Sequence, residues 1–224
     1  MALRERDRIY GDAGFGGAYG LGGSPIIIII DFQYSHTDAR SPIGSENLTP
    51  AIEATKRLLE VARRKGVAVV YVNTMYRSDG RDCGLAGLKN RTAFEYQIEG
   101  TRWVETDDRI KPDADDIRIV KKTADSFFMT PLDYILRNMG VDTVIVTGCS
   151  TSGCVRATVA SGADLGYRMI IPEECVSERS LEAHRDNLFD LNARYADVAV
   201  LSQVIEAIEH LTPPNYYVGR TPRG

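Results

Sequence analysis

Short, nearly continuous hydrophobic runs punctuate the chain at 25–31 (PIIIIID), 67–72 (VAVVYV), 117–121 (IRIVK), 142–148 (DTVIVTG) and 167–172 (YRMIIP), with a sixth at 197–202 (DVAVLS). Runs of this length that do not alternate with polar residues read as strands covered on both faces, as in a parallel sheet. Helical periodicity fills the gaps. Thr49 is placed as an N-cap with Pro50 at the first helical position, Ile52, Leu58, Leu59 and Val61 form an apolar face, and Gly66 closes the helix. The segment 130–140 (TPLDYILRNMG) repeats the arrangement. Strands alternating with helices predict an α/β fold: a doubly wound, mostly parallel six-stranded sheet, Rossmann-like, with helices on both faces in three layers.

Three stretches fall outside this alternation. Residues 73–116 are long for a crossover and predict an insertion or lid over the active face. The Pro-, Tyr- and Gly-rich segment 212–224 reads as an arm, of the kind that packs on a neighbouring subunit. The N-terminal segment 1–24 contains GDAGFGGAYGLGG, which lacks GxGxxG spacing and precedes the first strand instead of following it. A flexible or closely packed loop is expected there, not a nucleotide cradle.

Composition narrows the picture to one domain over residues 1–224, with 43% hydrophobic residues to build its core. A net charge of −4, with both signs interspersed, argues against nucleic acid or a membrane surface as partner and favours a small molecule. The longest apolar run, Ile26 to Ile30, is far short of the roughly 18 residues a membrane span needs. The N-terminus shows no secretory pattern, so the cytoplasm is expected. The cysteines at 83, 149, 154 and 175 match no CxxC or zinc spacing, and no disulfide framework is expected.

Ligands of open α/β sheets bind beyond the carboxyl ends of the strands. Asp31, Lys121 and Cys154 all fall at such ends. Cys154 follows the loop GCSTSG and opens a predicted helix, where the dipole and free amides favour a thiolate and can bind an oxyanion. Cys149 reads as an inert thiol at the end of a buried strand, and Cys83 and Cys175 also as inert. The histidines at 36, 184 and 210 form no motif, so a carboxylate with a nearby lysine is the candidate base. Residue types alone leave a turn role for Asp31 and a solvated role for Lys121 or Lys122 open.

The ordered segments IIIIIDFQ, VKKTADSFFMTPL and VTGCSTSGCVRAT resemble the isochorismatase-like cysteine hydrolase superfamily over residues 10–205. GFGGAYGLGGSPIIIIIDF, TSGCVRATVASGADLGYRMIIPEECVSERS and NLFDLNARYADV are similar to its N-carbamoylsarcosine amidase branch and the related maleamate amidohydrolases. The resemblance implies Asp31 as general base, Lys121 as bridging cation and Cys154 as nucleophile. It further implies a non-proline cis peptide between Ser150 and Thr151, with the Thr151 and Cys154 amides as oxyanion hole, and Arg179 as binder of a substrate carboxylate. A surface ion pair of Arg179 with Glu178 or Glu182 is its structural alternative. Phe32, Gln33 and His36 are candidate pocket residues, although His36 reads equally as a loop histidine; Arg156 reads as structural. Asp125 and Ser126 stand where the family often has Ser-Ala, which puts the pocket and the lysine register in question.

The implied activity is hydrolysis of a linear amide or ureido C–N bond of a small carboxylate-bearing substrate, releasing ammonia through a covalent cysteine intermediate. No cofactor is implied. The stretch YVNTMY stands in place of the Asp-x-His motif of metal-dependent nicotinamidases, so no metal is expected. True isochorismatases lack the nucleophilic cysteine. The small-residue face of Ala157, Ala160, Ser161, Gly162 and Ala163, with the resemblance, predicts a homo-oligomer, dimer or tetramer. A non-catalytic scaffold acting through the arm and a redox couple of Cys149 and Cys154 are the readings from other classes.

Overall fold

The computed structural model describes residues 2–216, with side chains from Glu5 onward. In chain order its helices and strands are α1 (Ala2–Asp12), β1 (Pro25–Ile30), α2 (Tyr34–Thr37), α3 (Thr49–Arg64), β2 (Val69–Thr74), α4 (Ala86–Lys89), α5 (Arg91–Glu95), β3 (Ile117–Lys121), α6 (Leu132–Asn138) and β4 (Thr143–Cys149). There follow α7 (Arg156–Asp164), β5 (Arg168–Pro172), β6 (Val176–Ser177), α8 (Leu181–Arg194), β7 (Asp197–Ala199) and α9 (Leu201–Glu209).

All strand pairs are parallel, in the order β3-β2-β1-β4-β5-β7, with β6 beside β4. The sheet therefore has seven strands, not six. Val176 and Ser177 pair with Gly148 and Cys149, beyond the point where β5 leaves β4. β7 is shorter than the hydrophobic run 197–202 because α9 already begins at Leu201.

The five isoleucines of β1 explain the two-sided core. Ile27 and Ile29 pack with Leu58 of α3 and with Val204 and Ile208 of α9 on one face. Ile26, Ile28 and Ile30 pack with Leu132 and Leu136 of α6, Val159 of α7 and Leu191 of α8 on the other. Side chains alternate across a strand, so a strand covered on both faces needs apolar residues at every position.

At the N-terminal end a helix, α1, precedes the glycine-rich loop, and at the C-terminal end Tyr216 packs inward. The N-terminal segment opens with α1, where Tyr10 meets Phe189 edge-on at 5.0 Å and Arg6 pairs with Asp186 at 2.8 Å, both on α8. The glycine-rich stretch after it is held by two carboxylates. Asp197 accepts from the Tyr19 and Gly20 amides, and Asp142 from those of Gly23 and Ser24. A Cβ on Gly22 would fall 2.4 Å from the Asp142 carboxylate, so glycine there serves close packing. At the other end, Tyr216 is buried; its hydroxyl donates to the Pro25 carbonyl and accepts from the Ala68 amide at 3.1 Å. This part of the arm packs on the chain's own sheet, and 217–224 lie outside the described residues. No helix among the described residues is long and apolar enough to cross a membrane.

Candidate active site

The carboxyl ends of β1, β2, β3 and β4 converge on one point. Asp31, directly after β1, has φ +53°, a left-handed conformation unusual for a residue other than glycine. Beside it Gly148 has φ +120°, and a Cβ there would lie 2.0 Å from the Ile30 carbonyl oxygen. Only glycine lets β4 approach the chain so closely where Asp31 leaves the sheet.

Lys121, the last residue of β3, reaches the centre of the group. Its Nζ lies 2.8 Å from Asp31 Oδ2 and donates to Cys154 Sγ at 3.3 Å, Thr74 Oγ1 at 2.7 Å and the Thr123 carbonyl at 3.0 Å. Asp31 Oδ1 accepts from both the amide and the hydroxyl of Thr74, at 2.8 and 2.9 Å. The neighbouring Lys122 turns away, its Nζ 2.7 Å from Asp82, so Lys121 is the lysine beside Asp31 and Cys154.

Asp31 and Lys121 are buried, at 0% and 1% exposure. Burial pushes the Asp31 pKa up, but the lowering effects of its neighbours, led by the Lys121 ammonium, together outweigh this and hold the carboxyl below its usual range. Burial pushes the Lys121 pKa down, and the opposing effects, led by the Asp31 carboxylate, reverse the shift and keep it protonated. Burial and the Asp31 charge push the Cys154 thiol up to about 12. The resting group is therefore carboxylate, ammonium and neutral thiol.

Cys154 lies in a wide helical turn, Thr151–Val155, that runs directly into α7. The helix thus starts three residues earlier than expected, and the cis peptide joins Cys149 to Ser150, one bond before the predicted position. Thr151 is already helical, so the chain must reverse before it. Glu178, 5% exposed, braces the turn by accepting from the amide and hydroxyl of Ser152 at 3.1 and 2.6 Å. Thr151 Oγ1 is 2.8 Å from His184 Nδ1 of α8, and Ser150 Oγ accepts from Arg179 at 3.3 Å. Arg156 is engaged with Asn187 and Asp190 of α8.

A cavity of about 180 Å³ opens on Lys121, Thr74 and Cys154. Its outer wall comes from α4, α5 and the residues around them, Asn90, Phe94 and Gln97 among them, all within 73–116. Of the three pocket residues expected after Asp31, only His36 lines it. Phe32 is packed in the core with α3. Gln33 is buried one layer back and grips Thr74, its Oε1 accepting from the Thr74 amide and its Nε2 donating to the Thr74 carbonyl, both at 3.0 Å. Arg179 does not line the cavity. Instead it contacts Ser150, the Ile43 carbonyl and His36 Nδ1, with Glu178 3.9 Å away.

Asp125 also faces away from the cavity: it accepts from the Phe127 amide at 2.8 Å and from Ser161 of α7 at 2.6 Å, while Ser126 bonds Thr158. On the same helix, Gly162 packs against Met169 of β5, where a Cβ would fall 2.5 Å from the Met169 sulfur. Cys149 and Cys175 are buried, and Cys83 sits on the lid. Among the described residues no three His, Cys, Asp or Glu side chains are arranged to hold a metal ion.

A model of the Isochorismatase domain matches residues 25–203. The chain belongs to the isochorismatase family. Within that family it is 32% identical to the maleamate amidohydrolase of Pseudomonas putida over 88% of this chain and 92% of the relative. It is 34% identical to the N-carbamoylsarcosine amidase of Arthrobacter sp. over 91% of this chain and 78% of that one. Among solved family structures, the N-carbamoylsarcosine amidase of Thermoplasma acidophilum superposes with a TM-score of 0.68 at 27% identity, covering 80% of this chain and 96% of that one. A cysteine hydrolase from Pseudomonas syringae shares the fold with a TM-score of 0.82 at 22% identity, over 87% and 97% of the two chains.

Proposed function

We propose that this isochorismatase-family protein is a cysteine amidohydrolase that cleaves a linear amide or ureido C–N bond of a small carboxylate-bearing substrate and releases ammonia. The observation that carries the reading is the buried Asp31–Lys121 pair with the half-buried Cys154 thiol beside it at one end of the sheet, opening on a small cavity.

Asp31 is ionised and Cys154 is neutral at rest, which suits proton transfer from thiol to carboxylate as sulfur attacks the substrate carbonyl. Lys121, 3.3 Å from Sγ, stabilises the developing thiolate and stays paired with Asp31. In this reading the amides of Thr151 and Cys154 hold the tetrahedral oxyanion. Its collapse breaks the C–N bond, and the proton on Asp31 passes to the departing ammonia. Water, deprotonated by Asp31, then cleaves the thioester and returns the proton to sulfur. With an N-carbamoyl substrate the product carbamate loses carbon dioxide.

The two curated relatives support two substrates, N-carbamoylsarcosine and maleamate, each a short acid bearing a terminal amide or ureido group. Ammonia release from both and from a series of N-carbamoyl amino acids, compared between wild type and Cys154→Ser, tests the proposal. Turnover of one substrate that disappears in the variant is expected. Turnover unchanged in Cys154→Ser would overturn the mechanism.

A further inference from the structure

A second cavity, of about 470 Å³, lies against the β3 edge of the sheet and shares no lining residue with the one that opens on Cys154. Its volume falls in the range of small-molecule sites. Tyr71 of β2, Ile119 and Val120 of β3, and Val104 and Pro112 of the insertion give it largely apolar walls. The charged residues around it, Lys111 and Arg118 against Glu105 and Asp108, balance two and two, so it favours neither an anion nor a cation.

Asn73 also lines this cavity and is 7% exposed. Side chains alternate along β2, so Asn73 leaves the strand on the face opposite Thr74. Its Nδ2 donates to the Val104 carbonyl at 3.3 Å and to Thr106 Oγ1 at 3.0 Å. A carbonyl can only accept, so the contact with Val104 fixes which end of the amide is nitrogen. Oδ1 is left buried, and no donor among the described residues reaches it. Folded proteins seldom leave such an oxygen without a partner. Thr106 Oγ1, having accepted from Nδ2, still has its own proton to give, with no acceptor for it among the described residues. The other hydroxyls of the wall are committed, Tyr71 to the Ile110 carbonyl at 2.8 Å and Thr101 to the Ile98 carbonyl at 2.7 Å. One acceptor and one donor therefore stand side by side.

We propose that this cavity is a binding site for an uncharged carboxamide with an apolar body. The ligand N–H donates to Asn73 Oδ1, its carbonyl oxygen accepts from the Thr106 hydroxyl, and its body lies against Val104 and Ile119. A primary carboxamide or a lactam carries that donor and acceptor on one edge, which a ketone, an ester or a carboxylate does not. The site lies one peptide group from the Thr74 amide that holds Asp31. No step of the proposed hydrolysis uses it, so it stands or falls separately from the reaction class.

Benzamide is the probe, titrated into Cys154→Ala so that it cannot be consumed, with methyl proton–carbon spectra as the readout. The signals of Val104 and Ile119, assigned by their loss in Val104→Ala and Ile119→Val, are expected to shift and saturate at millimolar benzamide. Acetophenone keeps the ring and the carbonyl and puts a methyl group in place of the amide nitrogen. Half-saturation by it is expected to need about tenfold or more higher concentration, since Asn73 Oδ1 then meets no donor. Equal affinity for the two probes, or no saturable shift of these methyl signals with benzamide, overturns the proposal. In Asn73→Leu, which removes the acceptor at similar shape, the preference for benzamide is expected to vanish; a preference that survives places the selectivity elsewhere and defeats the assignment. Should Asn73→Leu fail to fold, the comparison of the two probes on one protein still decides.

Discussion

Thr74 grips a single oxygen of Asp31 twice, through its amide at 2.8 Å and its hydroxyl at 2.9 Å. The same hydroxyl accepts from Lys121 at 2.7 Å, so one side chain fixes the spacing of a buried carboxylate and a buried ammonium. Thr74→Val keeps the shape and removes the bridge. It is expected to cost about 1–3 kcal/mol in chemical denaturation, and as much as a hundredfold in kcat, roughly what misplacement of a reacting group by an ångström can cost. A variant with wild-type kcat would show that Asp31 and Lys121 hold their places unaided.

Removing the Asp31 charge is expected to free the thiol while stopping the reaction. Burial and that charge hold Cys154 at about 12, and in Asp31→Asn the nearest charge left is Lys121, 3.3 Å from sulfur. The ultraviolet absorbance of the thiolate should therefore develop at lower pH than in wild type, with ammonia release lost. An unmoved thiol titration would mean that burial alone sets the Cys154 pKa.

His36 makes stability depend on pH over a defined window. Its pKa is lowered from 6.5 in the unfolded chain to about 4 in the folded one, first by burial. Between these values the unfolded state binds more protons, so stability is fully present above about 6.5, falls as pH drops toward 4, and changes no further from this group below that. The loss is on the order of 3 kcal/mol. Urea denaturation at a series of pH values should show the decline, and His36→Asn should flatten it.

Gly148→Ala is expected to be among the most damaging single-methyl changes in the protein. The added Cβ would lie 2.0 Å from the Ile30 carbonyl, at a φ of +120° that other residues rarely adopt. A loss of more than about 3 kcal/mol is expected, read as a fall in thermal midpoint or as loss of folded protein. Near-wild-type stability would mean that β1 and β4 can separate beside Asp31 at little cost.

The strand ends were legible in the sequence because buried parallel strands are almost purely apolar, so the charged residue that ends each one stands out. Asp31 and Lys121 were visible for that reason, and Cys154 because small residues followed a β-branched run. Thr74 carries no such signal, because the apolar run ends at Val72 and the polar Asn73 and Thr74 fall in the predicted insertion; both belong to β2. Adjacency to Asp31 predicts Phe32 and Gln33 in the pocket, yet the reversal at its positive φ sends one into the core and the other behind Thr74. Asn90, Phe94 and Gln97 carry no local signal, because their approach to Cys154 is set by how the insertion folds back. The concern over Asp125 dissolves at the same level, since its partners lie on α7.

That fold-back divides the site between two parts of the chain. The sheet supplies Asp31, Thr74, Lys121 and the anchor of Cys154, each locked by neighbours on both faces, while much of the cavity's outer wall comes from a loop with short helices and exposed Leu85 and Leu88. A loop outside the sheet can be exchanged without disturbing the paired strands beneath it. Under the proposed mechanism, transplanting the corresponding loop from a relative should redirect which acid is accepted while Cys154 stays in place, so that specificity could evolve without rebuilding the sheet.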